Sequence, residues 1–78
     1  MKREFIINWF LNNSTLSEAD IEKNMEENFF DLGIIDSFGF LELIGECEEK
    51  LDIAFDDEDF QNDSIFTIKG LIGLVEKK

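Results

Sequence analysis

Apolar residues in this chain recur at the three- and four-residue spacing of helices, and no segment alternates as a strand would. Phe5, Ile6, Trp9 and Phe10 carry that spacing near the start, with Lys2, Arg3, Asn8 and Asn12 between them. They predict a first helix over 3–13, ended by Asn12, Asn13 and Ser14. Ser17 with Asp20 reads as a capping box opening a short helical turn over 17–24. Residues 25–36 read as a long loop whose Phe29, Phe30, Leu32 and Ile34 are expected to be pinned to the core. A second main helix is expected from Ser37 to about Lys50. The acidic run Asp56-Asp57-Glu58-Asp59 suits the start of a short third helix, because carboxylates are favoured at the positive end of a helix dipole. A last helix should begin at Thr67 and end in Lys77-Lys78, with its cations at the favourable end. The expected fold is an all-α four-helix bundle. A long loop joins its first and second main helices, and its third helix is short.

Seventy-eight residues allow one domain, taken as residues 1–78. A chain this short buries only about 60–65% of its unfolded surface, so its core is small. The composition, 44% apolar, is enough to fold. Nineteen acidic side chains against seven basic ones leave a formal charge of −12. Such a surface repels nucleic-acid phosphates and anionic membranes and favours partners with basic patches. It also repels itself, so salt should stabilise the fold. Cys47 is the only cysteine and cannot close an internal disulfide, which fits a reducing compartment. No apolar run suits a signal peptide or a membrane span, and the expectation is a cytoplasmic monomer.

The stretch Asp31-Leu32-Gly33-Ile34-Ile35-Asp36-Ser37-Phe38-Gly39 carries the functional signal. It sets Ser37 behind Asp36 where the loop gives way to a helix. A helix start leaves backbone N–H groups unpaired, and an aspartate there caps them. The serine on the first turn then points outward. At roughly 100° per residue, Phe40, Leu43, Ile44, Cys47 and Leu51 share one broad buried arc. Phe38, Leu41 and Gly45 fall on another arc, flanked by Glu42, Glu46 and Glu49, with Glu48 close to the line of the serine. A narrow apolar strip with a carboxylate fringe is the pattern of a docking surface, in which the strip supplies contact and the fringe steers a basic partner.

The run Gly33-Ile34-Ile35-Asp36-Ser37-Phe38, followed by Leu41-Glu42-Leu43-Ile44 and Glu48-Glu49-Lys50-Leu51, resembles the acyl carrier proteins. The resemblance extends over nearly the whole chain: an apolar first helix, a long loop, an Asp-rich third helix and strong acidity. It implies a four-helix bundle with 4′-phosphopantetheine esterified to Ser37, behind Asp36. It also implies a phosphopantetheinyl transferase, a loading ligase or acyltransferase, and downstream enzymes as partners. The recognition helix would be the one after the serine, presenting Phe38, Leu41, Glu42, Gly45, Glu48 and Glu49. Ser37 would be the substrate of another enzyme. The chain has no histidine and no base beside the serine, so nucleophilic catalysis is not expected.

Against the housekeeping fatty-acid pattern, Gly39 stands where a second aspartate is usual and Gly45 where a methionine is usual. Phe38 replaces leucine, and Phe40 adds an aromatic near the core. The run Asp36-Ser37-Phe38-Gly39 looks closer to D-alanyl carrier proteins and other specialised stand-alone carriers. Nine phenylalanines and one tryptophan suggest that Phe40 or Phe55 obstructs a cavity for long chains, leaving short or polar cargo. The expected function is an acyl carrier. An aminoacyl or D-alanyl carrier, or an unmodified acidic interaction module, are the alternatives.

Other features read as structural. The acidic run at 56–59 lacks the alternating ligands, central glycine and terminal glutamate of a calcium loop, so no metal site is assigned. Cys47 is expected as a buried apolar thiol and Trp9 as core or core edge. Gly70 and Gly73 permit either close packing or fraying of the last helix. The run around them faintly matches a Gly-x-x-Gly nucleic-acid loop, which the charge of −12 disfavours.

Overall fold

The computed structural model describes residues 2–78. The helices are α1 (Lys2–Asn13), α2 (Glu18–Lys23), α3 (Ser37–Lys50), α4 (Asp57–Gln61) and α5 (Ile68–Lys77), with a 3₁₀ turn at Asp63–Phe66 before α5. This is an all-α bundle with the expected helix order and the expected long connection between α2 and α3.

Each short helix is held by its caps. Ser17 and Asp20 form the capping box of α2, and Asp56 and Asp59 form a second one on α4. Thr67 lies just outside α5 as its cap: its Oγ1 accepts from Gly70 N–H at 2.9 Å and donates to Ser64 O at 3.0 Å. α5 therefore starts one residue later than the sequence suggested. The 3₁₀ turn before it has no strong local signal; Asn62 Oδ1 caps it by accepting from Ser64 N–H at 3.0 Å.

The core gathers residues from every main segment: Ile6, Trp9 and Phe10 from α1, Ile21 from α2, Phe29 from the loop, Phe40, Leu43, Ile44 and Cys47 from α3, and Ile65, Ile68, Leu71, Ile72 and Val75 around α5. Its middle is aromatic. Phe30 packs on Phe29, Phe40 and Phe66 with ring centroids 5.3–5.5 Å apart, in edge-on or tilted geometry. No buried side-chain polar atom among the described residues lacks a partner.

The long loop is ordered by backbone pairing. Phe29 N–H donates to Phe66 O and Lys69 N–H to Met25 O, each at 2.9 Å, and Asn28 bridges Thr67 in antiparallel fashion. Asn28 Oδ1 accepts from Phe30 and Asp31 N–H. Ile34 N–H returns to Phe29 O and Gly33 N–H to Phe30 O, each at 3.0 Å, with Gly33 at φ +70°. That is the Schellman closure of a single helical turn, and it needs the left-handed backbone that glycine adopts freely. The closure corrects one expectation. Phe29, Phe30 and Ile34 pack against the core, but Leu32 is 46% exposed. It occupies the last position before Gly33, where the turn directs it away from Phe29.

The two glycines of α5 differ. A β-carbon on Gly70 would overlap the Ser64 carbonyl, whereas one on Gly73 would meet nothing within 4 Å. Gly70 is the point at which α5 is packed closely on the 3₁₀ turn; Gly73 has no such constraint.

Candidate functional site

Two capping bonds define the start of α3. Asp36 Oδ1 accepts from Gly39 N–H at 2.8 Å, and Asp36 O accepts from Phe40 N–H at 2.9 Å. The N–H groups of Ser37 and Phe38 have no hydrogen-bond partner among the described residues, and neither does the Ser37 hydroxyl. Ser37 is exposed on the first turn. The serine oxygen therefore stands in solvent beside two free backbone donors at the positive end of a 14-residue helix. That arrangement suits a phosphodiester, whose oxygens need donors and whose charge favours a helix N-terminus.

Along α3 the predicted arcs are present. Phe40, Leu43, Ile44 and Cys47 are buried, and Leu51 is half-buried at the helix end. Phe38 is 78% and Leu41 65% exposed, and Gly45 continues their line. Glu42, Glu48 and Glu49 are exposed around them. Two carboxylates also hold structure. Glu48 Oε2 accepts from Phe55 N–H at 3.0 Å and fastens the α3–α4 loop. Glu46 is half-buried, and its Oε2 accepts from Trp9 Nε1–H at 2.9 Å. Glu46 therefore belongs to the contact between α1 and α3 more than to the open fringe. Past Leu51 the chain turns through Asp52 at φ 54°, a left-handed conformation that aspartate tolerates better than most residues.

An open groove of about 700 Å³ lies on the α1 side of Ser37. Trp9 and Asn13 from the end of α1, Ile34 and Ile35 from the loop, and Gly39 and Glu42 from α3 form its walls, with Ser37 and Asp36 at its edge. The roles of Trp9, Asn13 and Ile35 beside the serine were not legible in the sequence. Trp9 and Asn13 lie far from Ser37 along the chain, and only the fold brings them beside it; Ile35 is close in sequence, but its side of the loop is set by the fold.

Burial pushes the Cys47 thiol up to about 12, with Glu46 and Glu48 adding to the effect. It is an inert core side chain. No group of three or more potential metal ligands is clustered among the described residues. Among them, too, no helix is long and apolar enough to cross a membrane.

The family described as phosphopantetheine attachment site matches residues 13–74 of this chain. D-alanyl carrier proteins of Streptococcus pyogenes, from serotype M5 (strain Manfredo) and serotype M1, are 34% identical over 58 residues, covering 74% of this chain and 73% of theirs. No solved structure matches. The chain belongs to the phosphopantetheine-binding carrier family. It is a carrier and not itself an enzyme, and its prosthetic group is covalent 4′-phosphopantetheine. A carrier of this kind is served by a phosphopantetheinyl transferase and by enzymes that load and use its cargo.

Proposed function

We propose that Ser37 is the attachment point of the phosphopantetheine arm and that the arm carries a small aminoacyl group, D-alanine in the first place, as a thioester. The observation that carries this reading is the Ser37 hydroxyl, exposed and unpartnered beside the free N–H groups of Ser37 and Phe38. A transferase would bring coenzyme A to it. The serine oxygen forms a bond to the phosphorus that bears pantetheine, and the pyrophosphate P–O bond breaks. Adenosine 3′,5′-bisphosphate leaves, and the hydroxyl proton passes to a base of the transferase. Asp36 is engaged in capping α3 and serves to hold the serine in place.

Phe38, Leu41 and Gly45 would form the contact strip for partner enzymes, with Glu42, Glu48 and Glu49 steering their basic patches. The cytoplasm, where coenzyme A is available and thiols stay reduced, is the proposed place of action.

The cargo assignment draws on two supports. The similar S. pyogenes proteins are D-alanyl carriers. The space between α3 and α4, moreover, is lined by rings. Phe40 meets Phe66 at 5.6 Å and Phe60 at 6.3 Å, and Phe60 meets Phe55 at 6.0 Å. A long acyl chain entering there has to displace packed aromatics.

Intact mass tests the attachment. Coexpression with a broad-specificity transferase should add one phosphopantetheine to the wild type and none to Ser37→Ala. Modification of both proteins would exclude Ser37. Modification of neither would favour an unmodified acidic interaction module. Loading tests the cargo: the holo protein should take D-alanine from ATP and a D-alanine-activating ligase. Medium-length acyl forms should show no steady rise of Tm with chain length; a steady rise would contradict the small-cargo reading.

A further inference from the structure

We propose that the arm of the resting holo protein folds back into the groove between the end of α1 and the start of α3, and does not enter the space between α3 and α4. The proposal rests on the assignment of Ser37 above. The attachment residue forms part of the groove edge, so a tether on its oxygen begins at the groove mouth. The volume, about 700 Å³, lies within the roughly 300–1,000 Å³ of sites that hold small organic ligands.

The lining matches the chemistry of the arm. Pantetheine joins a gem-dimethyl segment to two amides. Ile34 and Ile35, both half-buried, offer apolar surface for the methyl groups, and the small exposed edge of Trp9 lies at the floor. Asn13 donates its Nδ2–H to Trp9 O at 2.9 Å, which leaves its side-chain carbonyl to accept an amide N–H of the arm. The groove is also formed in advance. Trp9 is fixed by its bond to Glu46, so the arm meets a settled floor and little ordering cost remains. On the other side of α3, Phe40 packs against Phe60 and Phe66, and the arm would have to part those rings to enter. Glu42 on the groove wall adds a selection rule. Its carboxylate disfavours an anionic end group and accepts a neutral thiol or an ammonium-bearing cargo.

Nuclear magnetic resonance on apo and holo protein tests this. Trp9 is the only tryptophan, so its indole N–H gives one unambiguous signal. In the holo form that signal and the Asn13 side-chain amide should shift, and the gem-dimethyl protons should show contacts to the Trp9 ring and Ile35 methyls. Asn13→Phe fills the groove at an exposed position; it should still be modified by mass, yet lose these contacts. Shifts confined to the neighbours of Ser37, or contacts from the arm to Phe55 or Phe60, would overturn the groove assignment while leaving the attachment intact. Absence of any added mass on the wild type would remove the attachment reading and the groove with it.

Discussion

Trp9 Nε1–H donates to Glu46 Oε2 at 2.9 Å, across 37 positions of sequence, and fastens α1 to the later half of α3, the serine-bearing helix. Trp9 is only 5% exposed, so its N–H has little access to water if the carboxylate is lost. Glu46→Ala should destabilise the fold by about 1–3 kcal/mol, the usual cost of stranding a buried donor, whereas Glu46→Gln should recover much of it. Urea unfolding midpoints of the three proteins measure the effect.

Gly70→Ala and Gly73→Ala are the same change on the same helix and should act in opposite directions. At Gly70 the new methyl collides with the Ser64 carbonyl, a backbone atom that the 3₁₀ turn holds in place. A loss of about 1–3 kcal/mol or more follows, as for other overpacked sites. At Gly73 the methyl meets open space, and α5 gains about 0.5–1 kcal/mol from the reduced freedom of the unfolded chain. Thermal unfolding by circular dichroism should separate the pair.

Cys47 is fully buried with its thiol pushed up to about 12, chiefly by burial. The thiolate is the reactive form, so Cys47 should not react with a thiol reagent at neutral pH in the native protein. Native apo protein should titrate no thiol and native holo protein one, that of the arm. Each should gain one more on unfolding in denaturant. A fast-reacting thiol in the native apo form would contradict the packing of α3.

Acid should weaken the fold at the two capping carboxylates. Asp59 is held below its ordinary value of 3.8 by the Asp56 backbone N–H and then by Lys78, whose Nζ lies 2.9 Å away. Asp20 is lowered in the same way by the backbone and hydroxyl of Ser17. Each contributes stability in full above 3.8, where both folded and unfolded forms are ionised. Below that value the unfolded chain takes up protons first, and the contribution is lost as pH falls through the lower folded values. The urea midpoint should therefore drop below pH 3.8 in the wild type and drop less in a Asp20→Asn, Asp59→Asn double variant.

Much of the local structure around Ser37 is legible in the sequence. Asp36 as cap, Ser37 on the first turn, the buried arc Phe40-Leu43-Ile44-Cys47 and the exposed line Phe38-Leu41-Gly45 all follow from a period of 3.6 and from capping chemistry. These are local rules, in which each residue is judged against neighbours three or four positions away. The positions that escaped depend on distant partners. Leu32 looked like a core residue until the Schellman closure at Gly33 turned it outward. Glu46 looked like another carboxylate of the fringe until the indole of Trp9 arrived from α1. Gly70 looked like Gly73 until the Ser64 carbonyl came against it.

The amino-acid order alone therefore determined an acidic helical bundle with Ser37 exposed on the first turn of a helix capped by Asp36, because helix periodicity and capping are properties of a few consecutive residues. Only the tertiary structure decided which wall stands beside that serine. The groove of Trp9, Asn13, Ile35 and Glu42 exists because the fold sets α1 across from α3, tied by the Trp9–Glu46 bond, and contacts between segments dozens of residues apart leave no periodic trace in either one.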